Sequence, residues 1–189
     1  MPRPIRLFLP LFLLALALTA CYEPLEYELV IDVSDTGAYA MSFDGTIGAL
    51  GLREAQLEGA TQEELDEMMA EIDVFIADRQ DVEVSEYRGD GVYYVRGQAA
   101  YSGTDTDTIF DMWLVEVSRQ LGELTFRTVP FDQGTLDMFA SFGYELEGRI
   151  ILRSEAPIIE SNGKQGPDGH YWENEVLLSE GMRITLATP

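Results

Sequence analysis

From Leu25 to Val33 the side chains alternate between an apolar set (Leu25, Tyr27, Leu29, Ile31, Val33) and a mainly acidic one (Glu26, Glu28, Val30, Asp32). A two-residue period puts the two sets on opposite faces of an extended chain, so the segment predicts a strand with one face in a core. Asp35-Thr36-Gly37 has turn chemistry, and the alternation resumes at Tyr39, Met41 and Phe43, which makes a hairpin. A hairpin with one dry face cannot stand alone; other elements must cover it.

The cover is legible further along. Thr61-Gln62-Glu63-Glu64 fits a capping box, and Leu65, Met68, Met69, Ile72, Phe75 and Ile76 follow at helical spacing, predicting a helix over 62–78. The two methionines read as core packing. The Gly-rich run 44–60 reads as irregular. Residues 82–87 and 92–101 read as strands joined at Gly89-Asp90-Gly91. Asp105 and Asp107 open a second amphipathic helix through Ile109, Phe110, Trp113, Leu114 and Val117, with Gly122 where a helix stop belongs. Then come a strand over 124–129, a short helical turn at 135–141, and a long strand marked by Phe142, Tyr144, Leu146, Ile150 and Leu152. Asn162-Gly163 and Gly166-Pro167-Asp168-Gly169 are turns. Residues 170–177 and 182–187 read as closing strands. The order predicts an α+β fold: a mainly antiparallel sheet of about six to eight strands, with two amphipathic helices packed on one face. No Pro/Gly/Ser-rich linker divides residues 25–189, which read as one domain.

The N-terminus has a different grammar. Arg3 and Arg6 precede an apolar stretch, Leu7 to Leu18, of about a dozen residues where a spanning helix needs about twenty. Such a stretch behind a positive flank is the apolar region of a signal peptide. It ends at Leu18-Thr19-Ala20-Cys21, which resembles the lipobox of bacterial lipoproteins: Leu at −3, a small residue at −1 and Cys at +1. The resemblance implies that residues 1–20 are a lipoprotein signal peptide, that Cys21 is cut free and diacylglycerylated, and that residues 21–24 are a lipidated tether. Tyr22 stands where an Asp would retain a Gram-negative lipoprotein at the inner membrane. If the host is Gram-negative, the resemblance therefore implies the outer membrane, facing the periplasm. Cys21 is the chain's single cysteine, so the domain has no disulfide and stands on its core.

Removing residues 1–20, which hold two arginines and no acid, leaves 10 basic and 34 acidic residues, a formal charge of −24. Nucleic-acid binders need a basic footprint, so that partner class is excluded. The same charge offers no polybasic patch to anionic headgroups, and the acyl group must provide membrane attachment. The acids are spread along the chain, as on a solvated surface, rather than gathered as in a calcium-binding run.

Signatures of chemistry are sparse. His170 is the only histidine, which excludes His-based metal sites, and it follows turn residues with no G-x-S-x-G elbow in the chain. No phosphate loop occurs. The nearest metal pattern is Asp105, Asp107 and Asp111 with Glu116. In EF-hand register, positions 5 and 6 are Ile109 and Phe110, which neither ligate calcium nor make the sharp turn. Acids in a first helical turn, favoured by the helix dipole, account for them. No cofactor is called for.

The last third has a family likeness. The strand Arg149-Ile150-Ile151-Leu152, Pro157, Glu160-Ser161-Asn162-Gly163 and Tyr171-Trp172 resemble the close of LppM-type bacterial envelope lipoproteins, and the strand after Cys21 with its Asp-x-Gly turn is also similar. The resemblance implies an α+β lipoprotein domain that handles lipid rather than performing chemistry, with Trp172 in the core. Many members carry a spanning helix after the domain; here the chain ends at Pro189. The expectation is a lipid-anchored, non-enzymatic envelope module that binds a lipid or other apolar ligand in a cavity of several hundred cubic ångströms. The alternatives are an interaction or assembly factor binding an envelope protein partner, and a hydrolase working through two carboxylates.

Overall fold

The computed structural model describes residues 22–79, 81–102 and 115–189. Eleven strands and four helices are present among them, an α+β fold. Strand β1 (Tyr22–Val33) turns at Gly37 into β2 (Tyr39–Ala49). Helices α1 (Leu50–Glu58) and α2 (Gln62–Ala77) follow, then β3 (Val82–Gly89) and β4 (Val92–Tyr101). After the undescribed residues 103–114 come β5 (Glu116–Gln120), β6 (Glu123–Arg127), α3 (Gln133–Phe142) and β7 (Glu147–Ser154). The chain closes with β8 (Ile158–Ser161), β9 (Lys164–Gly166), β10 (Gly169–Glu173), α4 (Asn174–Ser179) and β11 (Arg183–Ala187).

The strands form two sheets. A seven-stranded sheet runs β3-β4-β2-β1-β7-β10-β9, and a four-stranded antiparallel sheet runs β5-β6-β11-β8. Every pairing is antiparallel except β1 with β7, where Glu26 to Val33 run beside Glu147 to Ser154. The period-two register carries Leu29, Ile31 and Val33 opposite Phe43, Met41 and Tyr39, all on one face. That face packs against Leu124, Phe126, Ile184 and Leu186 of the small sheet and against Leu52, Ile72 and Ile76 of the helices, in one shared core. The other face is solvated: Glu28 and Asp32 of β1 lie beside Arg149 and Arg153 of β7, at 3.8 and 3.6 Å. Exposed pairs of this kind contribute about 0–1 kcal/mol each, so they keep the face wet rather than hold the fold.

Helix α2 begins where its capping box places it. The Thr61 backbone N–H donates to Glu64 Oε2 at 2.8 Å, and the Glu64 N–H donates back to Thr61 Oγ1 at 3.4 Å. Five expectations are corrected. Residues 44–60 are not irregular: β2 continues to Ala49 because Gly45 lets the bulged β1 pass, a Cβ there falling 2.6 Å from Tyr27, and α1 follows at once. Val115 to Val117 are not helical, and Glu116 and Val117 belong to strand β5; residues 105–114 of that expected helix lie outside the described residues. Gly122 stops no helix. Leu121 and Gly122, with φ of 50° and 84°, form a two-residue turn between β5 and β6, whose twist positive φ angles fit. Phe142 ends α3 at the left-handed Gly143, and the closing strand from His170 stops at Glu173, after which Asn174 to Ser179 are helical.

Candidate functional site

The start of β1 lies against three other segments. Gly148 of β7 carries no side chain because the Tyr27 ring lies across it, 2.6 Å from where a Cβ would sit. Asn174, the first residue of α4, accepts from the Gly148 N–H at 3.1 Å and donates to the Leu146 carbonyl, fixing α4 to the start of β7. The loop from β6 to α3 is tied down at Thr128, whose N–H donates to the Met182 carbonyl at 3.0 Å and whose Oγ1 accepts from the Met182 N–H at 2.7 Å. Phe131 packs edge-on against Phe139 of α3 at 5.4 Å.

These segments enclose a cleft of about 250 Å³. Its apolar lining is Pro24, Leu25 and Tyr27 from β1, Val129 to Phe131 from the loop, Leu146, and Leu177 and Leu178 from α4. Glu23 and Asp132 are the two carboxylates in the wall. Burial pushes the Glu23 carboxyl above its ordinary range and raises the Tyr27 phenol. Asp132 moves the other way: its carboxylate accepts the Thr135 N–H at 2.8 Å as the N-cap of α3, which favours the charged form. The cleft is smaller than the ~300–1,000 Å³ usual for drug-sized ligands. It also lies between α4, the loop and the sheet, not under the long helix. A broader depression of about 530 Å³ on the solvated sheet face is lined by Tyr27 and Tyr94 together with Glu26, Glu28, Asp44, Glu147, Glu173 and Arg149, so it carries far more charge than the cleft.

Comparison with known proteins adds one likeness. The folded domain of the Mycobacterium tuberculosis LppM protein, solved by NMR, is similar to this chain at 17% identity and a TM-score of 0.43, covering 88% of this chain and 91% of that one. No protein-family model matches the chain, and no curated protein does.

The expected lipidation site Cys21 and the acids Asp105, Asp107 and Asp111 lie outside the described residues. Among the described residues, no group of three or more His, Cys, Asp or Glu side chains is placed to hold a metal ion, and no helix is long and apolar enough to cross a membrane. His170 is the second residue of β10, with its Nδ1 2.9 Å from Ser161 Oγ. Ser161 Oγ also accepts the Gly163 N–H at 3.0 Å, which makes the hydroxyl a fastening of the β8–β9 turn. The cleft was not legible in the sequence, since its walls come from four segments up to 155 residues apart (Glu23 to Leu178). The one local signal was Pro130-Phe131 with the capping Asp132.

Because Glu23 is harder to ionise in the folded chain than in the unfolded one, folding binds a proton more readily there. The resulting penalty is absent below the ordinary glutamate range and complete above the raised folded value. Glu23→Gln is therefore expected to raise Tm near neutral pH and to leave it unchanged in acid, as thermal melts across that range would read. A variant that gained equally at every pH would show that the effect is not ionisation.

Proposed function

We propose that the protein is a cell-envelope lipoprotein, acylated at Cys21, whose domain is a non-enzymatic module binding one apolar chain in the cleft beside the anchor. The observation that carries this is position: the apolar lining begins at Pro24, three residues beyond the lipobox cysteine. An acyl chain from the same bilayer is thereby the nearest apolar ligand. Tyr22 in place of Asp supports the outer membrane, facing the periplasm, in a Gram-negative host.

The test is photocrosslinking. Membranes carrying the full chain are fed a diazirine fatty acid, irradiated, and the labelled peptides are mapped by mass spectrometry. Label is expected in the 128–132 loop and in α4, falling at least about tenfold in Leu178→Arg, since a charge facing an apolar chain without a partner is costly. Label spread over the surface, or unchanged in Leu178→Arg, sinks the binding reading.

An interaction role has one observation in its favour. Strand β8 is an edge of the small sheet, and Ile158 and Ile159 on it are 41% and 54% exposed. A hydrolytic role gains little from Glu23 and Asp132, because the Asp132 carboxylate is already engaged as a helix cap.

A further inference from the structure

The tether between anchor and fold has almost no length. Tyr22 is already paired in β1, opposite Ala49, and one peptide unit of about 3.8 Å joins its Cα to that of Cys21. Whatever surface surrounds Tyr22 is therefore held at the headgroups whenever Cys21 is acylated. That surface is the last two turns of α2. The Tyr22 ring stacks on the Phe75 ring, with centroids 5.1 Å apart and planes within 9°. Phe75 is 44% exposed and Val74 is 62% exposed, while their neighbours Ile72 and Ile76 point into the core. The Arg79 guanidinium lies 5.9 Å from the Phe75 ring centre and is ion-paired with Asp81 at 3.2 Å, so its charge is neutralised within the fold.

Resting on the reading of Cys21 as an acylated anchor, we propose that Tyr22, Val74 and Phe75 form a docking surface that inserts into the interfacial layer of the bilayer carrying the anchor, setting the domain's orientation on it. The charges around the patch choose the lipid. Glu71 and Asp78 stand one helical turn to either side of Val74 and Phe75, so the rim is acidic and is repelled by anionic headgroups. The surface fits a zwitterionic bilayer. Two exposed apolar side chains and a tyrosine do not anchor a protein; they fix which side of an anchored one faces the lipid.

The full acylated chain tests this, because its single cysteine is consumed by the anchor and any introduced thiol is unique. Val74→Cys keeps the Tyr22–Phe75 stack, and Leu121→Cys, in the fully exposed β5–β6 turn, serves as the distant control. Each variant is labelled with an environment-sensitive fluorophore and reconstituted into phosphatidylcholine vesicles containing lipids spin-labelled on the acyl chain. The expected result is a blue-shifted emission at position 74 and quenching several-fold stronger than at position 121, both reduced when phosphatidylglycerol is added. Vesicle-bound protein with equal quenching at the two positions overturns the docking surface and leaves the anchor standing. A probe at position 74 that is shielded from water but not quenched points to contact with a second copy and overturns it too. Protein that fails to float with the vesicles, or takes up no labelled palmitate, overturns the anchor and the docking surface together.

Discussion

Trp172→Ala is expected to lower the unfolding free energy by about 3–5 kcal/mol, the range for removing a large aromatic side chain from a packed core. Trp172 is 1% exposed in the middle of β10, opposite Ile150 of β7. Its ring has no slack: a Cβ added at Gly163 would come within 2.5 to 2.9 Å of the indole. Its one polar atom is satisfied, the Nε1–H donating to Asn162 Oδ1 at 2.7 Å. The same Oδ1 accepts the Arg183 N–H at 2.8 Å, and Asn162 Nδ2 donates to the Gly181 carbonyl at 2.9 Å. One amide thus joins the turn after β8, the tryptophan of the large sheet and the approach to β11 in the small one. A second arm isolates that bond. Asn162→Ala leaves a buried indole N–H without an acceptor, and in a Trp172→Phe background that loss has already been taken. Asn162→Ala should then cost about 0.5–1.5 kcal/mol less than in the parent. Urea denaturation of the parent, the three single variants and the Asn162→Ala/Trp172→Phe double variant reads both effects. A cost below about 1 kcal/mol for Trp172→Ala, or strict additivity in the cycle, would contradict the role given to this node.

The same node shows how far the sequence could be read. Asn162-Gly163 carries a turn signal, and a turn is present. The signal normally joins two strands of one hairpin, whereas here β8 belongs to the small sheet and β9 to the large one. Turn chemistry is local, while β8 finds its partner β11 more than 20 residues on and β9 pairs with β10 across the next turn. The hairpin of β1 and β2 and the capping box of α2 were legible for the same reason, since each is settled within a few residues of chain. Helix α1 was hidden. It has no side-chain cap, buries only Leu50 and Leu52, and starts among glycines that a bulge in the neighbouring strand requires. The Leu121-Gly122 turn was hidden because leucine rarely takes a positive φ, so its sequence advertises nothing. The parallel pairing of β1 with β7 left one trace that could have been used. Ile150-Ile151-Leu152 is an uninterrupted buried run, as expected of a strand inside a sheet and not at its edge, although Arg149 and Arg153 to either side stay exposed on the solvated face.

Cys21→Ser is expected to abolish palmitate incorporation and to release most of the protein from washed membranes. The argument is one of magnitude. Burying acyl chain is worth about 0.8 kcal/mol per methylene, so a second chain turns a marginal, reversible attachment into a stable one. Val74 and Phe75 together could contribute at most about 3–6 kcal/mol if fully buried, and both are already partly covered in the fold. Electrostatics gives no help, since residues 21–189 carry 34 acids against ten bases and present no basic cluster to anionic lipid. Under the proposed anchoring, the acyl group has to supply the attachment, and the α2 surface is left to decide how the domain stands. Carbonate-washed membranes and vesicle flotation should show the serine protein mainly in the soluble fraction, with palmitate label reduced to background. Serine protein that stays with the membrane, processed and labelled like the parent, would move the anchor away from residue 21 and remove the reason for placing the apolar cleft at a bilayer.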